Sequence, residues 1–221
     1  PDAYFNAEQN ALVARNAEMY YRTMVRGGPG SWNVRDNHMV ETLERLMEHH
    51  GPQAKAIVWE HNTHVGDARF TDMARSGMVN VGQLVRQAHE REGVFLVGFG
   101  THHGTVIAGR EWGAPMEKMR VPDAKDGSVE AAIRQADVGD SVFIFDRKNK
   151  SAHAELADPR GHRAIGVVYD PRTESWGNYV PTILPERYDA FLYMEETKAV
   201  DALHMAVLVD GEPPETYPSG E

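Results

Sequence analysis

Helix-period segments alternate with short apolar runs along this chain, and that alternation limits its fold more than any other feature. Residues 4–25 carry Ala7, Ala11, Val13, Ala14, Ala17, Met19 and Met24 at helical spacing, and Gly27-Gly28-Pro29-Gly30 stops the pattern. Asp36 is placed to cap a second helix, in which Met39, Val40, Leu43, Leu46 and Met47 recur every three or four residues before Gly51-Pro52. Ala54-Lys55-Ala56-Ile57-Val58-Trp59 then reads as a short buried strand, and residues 80–92 as a helix. Val94-Phe95-Leu96-Val97-Gly98-Phe99 is the most apolar run, the composition expected of a central strand covered on both faces. A short helix at 128–136 and strands at 142–145, 163–169 and 188–194 complete the pattern, and the tail from Gly211 reads as loose. Such an order predicts an α/β fold with a mostly parallel β-sheet flanked by helices. With no internal repeat or linker, residues 1–221 are expected to form a single domain or part of one.

Composition narrows the function classes. The 221 residues include 33 acidic and 23 basic side chains, a formal charge of -10, so a phosphate backbone is repelled and no nucleic-acid partner is expected. No apolar run approaches the ~20 residues that span a bilayer, so no membrane partner is expected. The chain begins Pro1-Asp2-Ala3 without a Met or an export pattern, which points to a processed, engineered or truncated N-terminus and a cytoplasmic setting. Cysteine is absent, which removes disulfides, thiol nucleophiles and thiolate metal sites. Eleven histidines remain as the chemistry-bearing surplus.

Three constellations follow. Glu60-His61-Asn62-Thr63-His64-Val65-Gly66-Asp67 lies just after an expected strand, where α/β sheets place their ligands. His61 and His64 are the candidate catalytic pair: one imidazole takes a proton from water while the other polarises a carbonyl or holds the geometry. The same pair can instead bind a metal with Asp67 or Glu60 as third ligand, or simply cap backbone groups in a polar loop. Gly98-Phe99-Gly100-Thr101-His102-His103-Gly104 has glycines at the wrong spacing for a dinucleotide turn and no amphipathic helix after it, so no cofactor is expected. Its glycines suit a strand end bending beside the site, with His102 and His103 lining the same pocket as His61. Arg35-Asp36 reads as a cap or structural ion pair, or as a group orienting a carboxylate or substrate carbonyl. There is no Gly-x-Ser-x-Gly elbow, Walker loop or His-Glu-x-x-His. A hydrolase built here activates water directly.

Four ordered segments carry a resemblance. They are Asn6-Ala7-Glu8-Gln9-Asn10 through Tyr21, Ser31-Trp32-Asn33-Val34-Arg35-Asp36 with Met39, His61-Asn62-Thr63-His64-Val65-Gly66, and Tyr188-Asp189-Ala190-Phe191 with Glu196-Thr197. Together they resemble erythromycin esterases and their relatives, some of which are labelled succinoglycan biosynthesis proteins. The resemblance implies a hydrolase in which His-activated water attacks an ester or lactone without a covalent intermediate, a small-molecule substrate, and a link to macrolide resistance. It maps the family's histidine pair onto His61 and His64 and its Arg-Asp pair onto Arg35 and Asp36. Glu60, Asp67, His102 and His103 join Arg35 and Asp36 as expected substrate-binding residues. The preferred reading needs no metal; the alternatives are a metal-dependent hydrolase using the His pair and a non-enzymatic accessory protein of polysaccharide biosynthesis. Family members are about twice this long, and their Gly-Glu-x-x-His-Gly type motif is absent here. The chain therefore resembles the C-terminal half of the catalytic domain, with a missing N-terminal half as partner and incomplete activity alone. Glu60 stands where the family suggests a small residue, and a buried carboxylate there raises the basicity of His61 or adds a metal ligand.

Overall fold

A computed structural model describes residues 2–90, 93–146 and 156–201, and the tail expected to be loose from Gly211 lies outside them. The described residues form two compact units. Of the described residues, the first holds 2–90, 93–99, 142–146, 156–160 and 180–192, and the second 100–141, 161–179 and 193–201.

In the first unit, α1 (Asp2–Arg26) and α2 (Gly30–His50) form a helical hairpin around the Gly-Gly-Pro turn. Gly27 and Gly28 both take positive φ, 74° and 78°, a conformation that residues with a Cβ resist. The two helices meet through polar contacts: buried Asn16 reaches His38 Nδ1 at 2.8 Å, and Arg45 bridges Glu8 and Glu41. The expected apolar stripe of α1 is largely uncovered, with Ala7, Ala11, Val13, Ala14 and Met24 exposed. Helix α2 begins about two turns before the expected position, so Asp36 sits inside it instead of capping it.

The expected strand at 54–59 does not form and pairs with no strand among the described residues. Ile57 is 94% exposed and Trp59 83%. Its composition is that of a buried strand, and the surface that would bury it is not supplied by the described residues. After it come α3 (Asn62–Val65), two short 3₁₀ turns, and α4 (Val81–Ala88), which Asn80 caps by accepting from the Gln83 amide at 3.0 Å. The unit closes with α7 (Leu184–Arg187), whose Pro185 suits a first turn.

Strand β1 (Val97–Ala108) does not stop at Phe99 as expected; it runs on through the glycines and both histidines. Beyond it lie β2 (Glu117–Val121), α5 (Val129–Gln135), β3 (Ser141–Ile144), β4 (Arg160–Arg163), α6 (Glu174–Gly177), β5 (Tyr179–Thr182) and β6 (Ala190–Thr197). The four-stranded sheet has the order β2-β1-β6-β3, and β4 pairs with β5 apart from it. The α/β class holds, but strand direction is mixed. β1 and β2 are antiparallel, with Gly104 opposite Val121 and Ala108 opposite Glu117. β1 and β6 run in one sense: the Leu96 carbonyl accepts from Asp189 and Ala190, and further along Thr105 accepts from Ala199. β3 opposes β6, since the Phe145 amide donates to the Asp189 carbonyl while Asp140 accepts from Glu195. In the second unit Ala108, Met119, Val121 and Tyr169 form a buried apolar cluster. The expected strand at 163–169 is confined to its first residue, and beyond it only the bridge of Gly109 to Val168 is regular.

Candidate active site

The first unit brings Trp32, Arg35, Asp36, Glu60 and His64 together. Arg35 and Asp36 project from the second turn of α2, and His64 from α3. The Asp36 carboxylate is fully buried, and its Oδ2 accepts from His64 Nδ1 at 2.9 Å and from the Val81 amide at 3.2 Å. The Val81 amide is one of the first-turn donors of α4 that lack an intrahelical partner. Asp36 therefore caps a helix after all, but a different one from that expected, and the same oxygen holds His64.

With Nδ1–H committed to Asp36, His64 Nε2 carries the lone pair. It faces Arg35 Nη2 at 3.5 Å, a guanidinium that can only donate. The imidazole lies flat on the Trp32 indole, centroids 4.5 Å apart and planes within 4°. Arg35 Cζ sits 5.0 Å from the Trp32 ring centre, and the indole Nε1 donates to the Val79 carbonyl at 2.8 Å. One aromatic plate thus aligns a base and a cation side by side. Burial raises the Glu60 pKa and the charge of Asp36 adds to that, while His64 and Arg35 act against it. Arg35 Nε, Asp36 Oδ1 and Glu60 Oε2 are buried without hydrogen-bond partners among the described residues. Buried polar atoms in this state cost about 1–3 kcal/mol each.

His61 has a different task. Its Nδ1 accepts from the Thr63 amide at 3.2 Å and lies 2.9 Å from Thr63 Oγ1, which caps α3. The next residue anchors the loop: Asn62 Nδ2 donates to the Phe99 carbonyl at 2.6 Å and its Oδ1 accepts from the Phe99 amide at 3.0 Å. Asn80, fully buried, donates to the carbonyls of Thr63 and Gly66 and accepts from the Ala68 amide at 3.2 Å. Gly82 lets α4 press onto this loop, because a Cβ there would collide with the Val65 carbonyl.

Asp67 is buried behind the loop. Its Oδ1 accepts from Arg69 N and Nε, and its Oδ2 from Arg69 Nη2 at 2.6 Å and Arg86 Nη1 at 3.0 Å. Burial works to raise its pKa, but the hydrogen bonds from Arg69 and Arg86 outweigh it and hold the carboxyl below its ordinary value. Arg86 continues to Asp189, which accepts from the Leu96 amide at 2.8 Å. Both Asp67 oxygens are committed to this network, which ties the loop to the strand beneath it. His102 and His103 belong to the second unit, where they group with Asp123. Among the described residues that is the set close enough to share a cation; His61 and His64 form no such set with Glu60 or Asp67.

Sequence reasoning did not assign Trp32, Asn80 or Arg86 to this region. Only Trp32 had a signal, lying three and four residues before Arg35 and Asp36 and so on the same helix face.

A family model described as erythromycin esterase matches residues 1–197, and the chain belongs to that family. A solved succinoglycan biosynthesis protein is similar at 18% identity and TM-score 0.63, covering 78% of this chain and 40% of its own. A Bacillus cereus protein matches at 16% and 0.64, covering 81% and 43%. A mutant of the erythromycin esterase EreC in its open conformation matches at 17% and 0.57, covering 86% and 43%. The chain thus spans about two-fifths of the length of these structures.

Proposed function

We propose that this chain supplies the water-activating half of an ester or lactone hydrolase. The observation that carries the reading is the His64–Asp36 pair: a 2.9 Å hydrogen bond to a fully buried carboxylate, with Nε2 directed at Arg35. In the proposed reaction His64 Nε2 takes a proton from water as its oxygen adds to the ester carbonyl. Asp36 fixes the tautomer and balances the imidazolium that forms. Arg35 faces the oxygen that gains negative charge. Collapse expels the alcohol oxygen, which recovers the proton from His64, leaving acid and alcohol. No covalent intermediate arises. His61 holds the loop that presents His64.

The remainder of the site is proposed to come from further sequence of the same polypeptide. Two apolar surfaces support this: the exposed stripe of α1, and a groove of about 880 Å³ lined by Met39, Leu43, Leu46 and Met47 of α2 together with the exposed Ile57 and Trp59. Apolar surface on this scale is characteristic of an interface. The two-fifths coverage of the solved relatives agrees with it.

The test is hydrolysis of p-nitrophenyl esters and macrolides by the full-length protein and its His64→Ala variant. Loss of about 10²- to 10⁴-fold in kcat with the fold retained supports the reading. A folded wild type inactive on every ester tested moves the balance to a non-catalytic role in polysaccharide biosynthesis. Substantial turnover by residues 1–221 alone sinks the proposed division of the site.

A further inference from the structure

The second unit contains a group of side chains that the hydrolytic reading leaves unused. Along β1 buried and half-buried residues alternate from Val97 to Gly100, and then Thr101, His102 and His103 are all half-buried. Neighbouring residues of a regular strand point to opposite faces. Here the imidazoles of His102 and His103 converge, with their Nδ1 atoms 3.1 Å apart and ring planes at 87°. The carboxylate of exposed Asp123 joins them, and one ligand atom from each of the three lies within 4.8 Å of the others.

We propose that His102, His103 and Asp123 bind a divalent transition-metal ion of the Zn²⁺ class. Two imidazole nitrogens at about 2.0–2.1 Å from one Zn²⁺ and subtending about 90–110° stand about 2.8–3.4 Å apart, which brackets the observed separation. Two nitrogens and one oxygen suit a borderline-soft cation better than Mg²⁺ or Ca²⁺, which prefer all-oxygen shells. Three protein ligands leave a fourth position open.

The surrounding structure fixes the ligands before any ion arrives. Buried Arg163 donates through Nη1 to the carbonyls of Thr101 and His102, at 2.7 and 2.6 Å, and through Nη2 to that of Pro122 at 2.8 Å. One guanidinium therefore clamps the backbone of both ligand-bearing segments. Thr101 Oγ1 donates to the His103 carbonyl at 3.0 Å, and Gly104, at φ 141°, approaches the Thr197 backbone closer than any Cβ would allow. The nearby cations are already paired: Arg163 with Glu174 at 2.5 Å, and Arg134 with Asp137 at 3.2 Å and Glu195 at 3.3 Å. The site is independent of the His64–Asp36 reading and stands if that reading fails.

The purified protein, stripped with chelator, is titrated with Zn²⁺ by calorimetry and with Co²⁺ by visible absorption. Wild type, His102→Ala, Asp123→Asn and His50→Ala are compared, each checked for folding by circular dichroism. Asp123 is exposed, so its amide variant reports on ligation with the fold intact. Expected is saturable binding that weakens at least about tenfold in His102→Ala and in Asp123→Asn but not in His50→Ala, since loss of a ligand costs no less than loss of a supporting group. A smaller loss in either variant, or no saturable wild-type binding at millimolar Zn²⁺, overturns the proposal.

Discussion

Asp36→Asn separates the proposed catalysis from folding at this site, because one oxygen of Asp36 has two donors. Oδ2 accepts from both His64 Nδ1 and the Val81 amide, while Oδ1 is buried without a partner. An asparagine placed with its amide nitrogen at Oδ2 would meet two donors head on. The opposite orientation keeps both hydrogen bonds, so the imidazole tautomer survives and only the charge is lost. Two unit charges 2.9 Å apart interact by about 6 kcal/mol at an effective dielectric of about 20. Desolvation and relaxation reduce that bound, and a residual of about 3–5 kcal/mol on the imidazolium-forming step lowers kcat about 10²- to 10⁴-fold. Stability should change by no more than about 1–2 kcal/mol, because a buried charge with an unsatisfied oxygen is removed while both hydrogen bonds to Oδ2 are kept. The assay is ester hydrolysis by the full-length protein, with thermal denaturation of the same samples. His64→Ala and the double variant complete a cycle, and residues acting as a unit give a double variant no slower than His64→Ala. A kcat within about threefold of wild type in folded Asp36→Asn, or additive losses in the double variant, would refute the proposed roles.

Three further outcomes test the supporting structure. Arg86→Met leaves Asp67 and Asp189 without their shared cation and should destabilise the protein by about 3–5 kcal/mol, read as a fall in Tm. Asp67 has a folded pKa below its ordinary 3.8, so its contribution is complete above that value and disappears as pH falls through the lower folded value. Asp67→Asn is therefore less stable than wild type at neutral pH and converges with it in acid; a difference independent of pH would exclude the linkage. Gly82→Ala drives a Cβ into the Val65 carbonyl and should cost about 1–3 kcal/mol in denaturant unfolding, whereas a neutral result would mean that α4 shifts freely. Ile57→Lys should leave the stability of residues 1–221 within about 0.5 kcal/mol, because the side chain is 94% exposed; a loss above about 1 kcal/mol in denaturant unfolding would mean that it is already covered within these residues.

What the sequence disclosed of this protein depended on whether the deciding physics was local. Helix periods and stops are local, and α1, α2, α4 and α5 appear within a few residues of expectation except at the start of α2. Strand direction is not local: the β1 run is as apolar as a parallel strand should be, yet β2 returns antiparallel beside it. The segment at 54–59 shows the same limit from the other side, since composition marks a strand that needs burial without saying which chain segment provides it. The candidate site divides along this line. His64, Arg35 and Asp36 were legible as motif residues, but a spacing of three could not tell His61, which caps its own turn, from His64, which reaches across to α2. Nor could it show that Asp67 would be consumed by Arg69 and Arg86, because Arg86 lies nineteen residues away and joins it only in the folded unit. In the proposed reaction His64 is a base because a distant carboxylate fixes its tautomer. Here that carboxylate also terminates α4, so the packing of α2 against α4 and the orientation of His64 are set by one buried oxygen. On the proposed reaction, any change that lets α4 move from α2 slows hydrolysis before it unfolds the protein, and the Gly82→Ala variant, assayed for both, is where the two effects would first be seen apart.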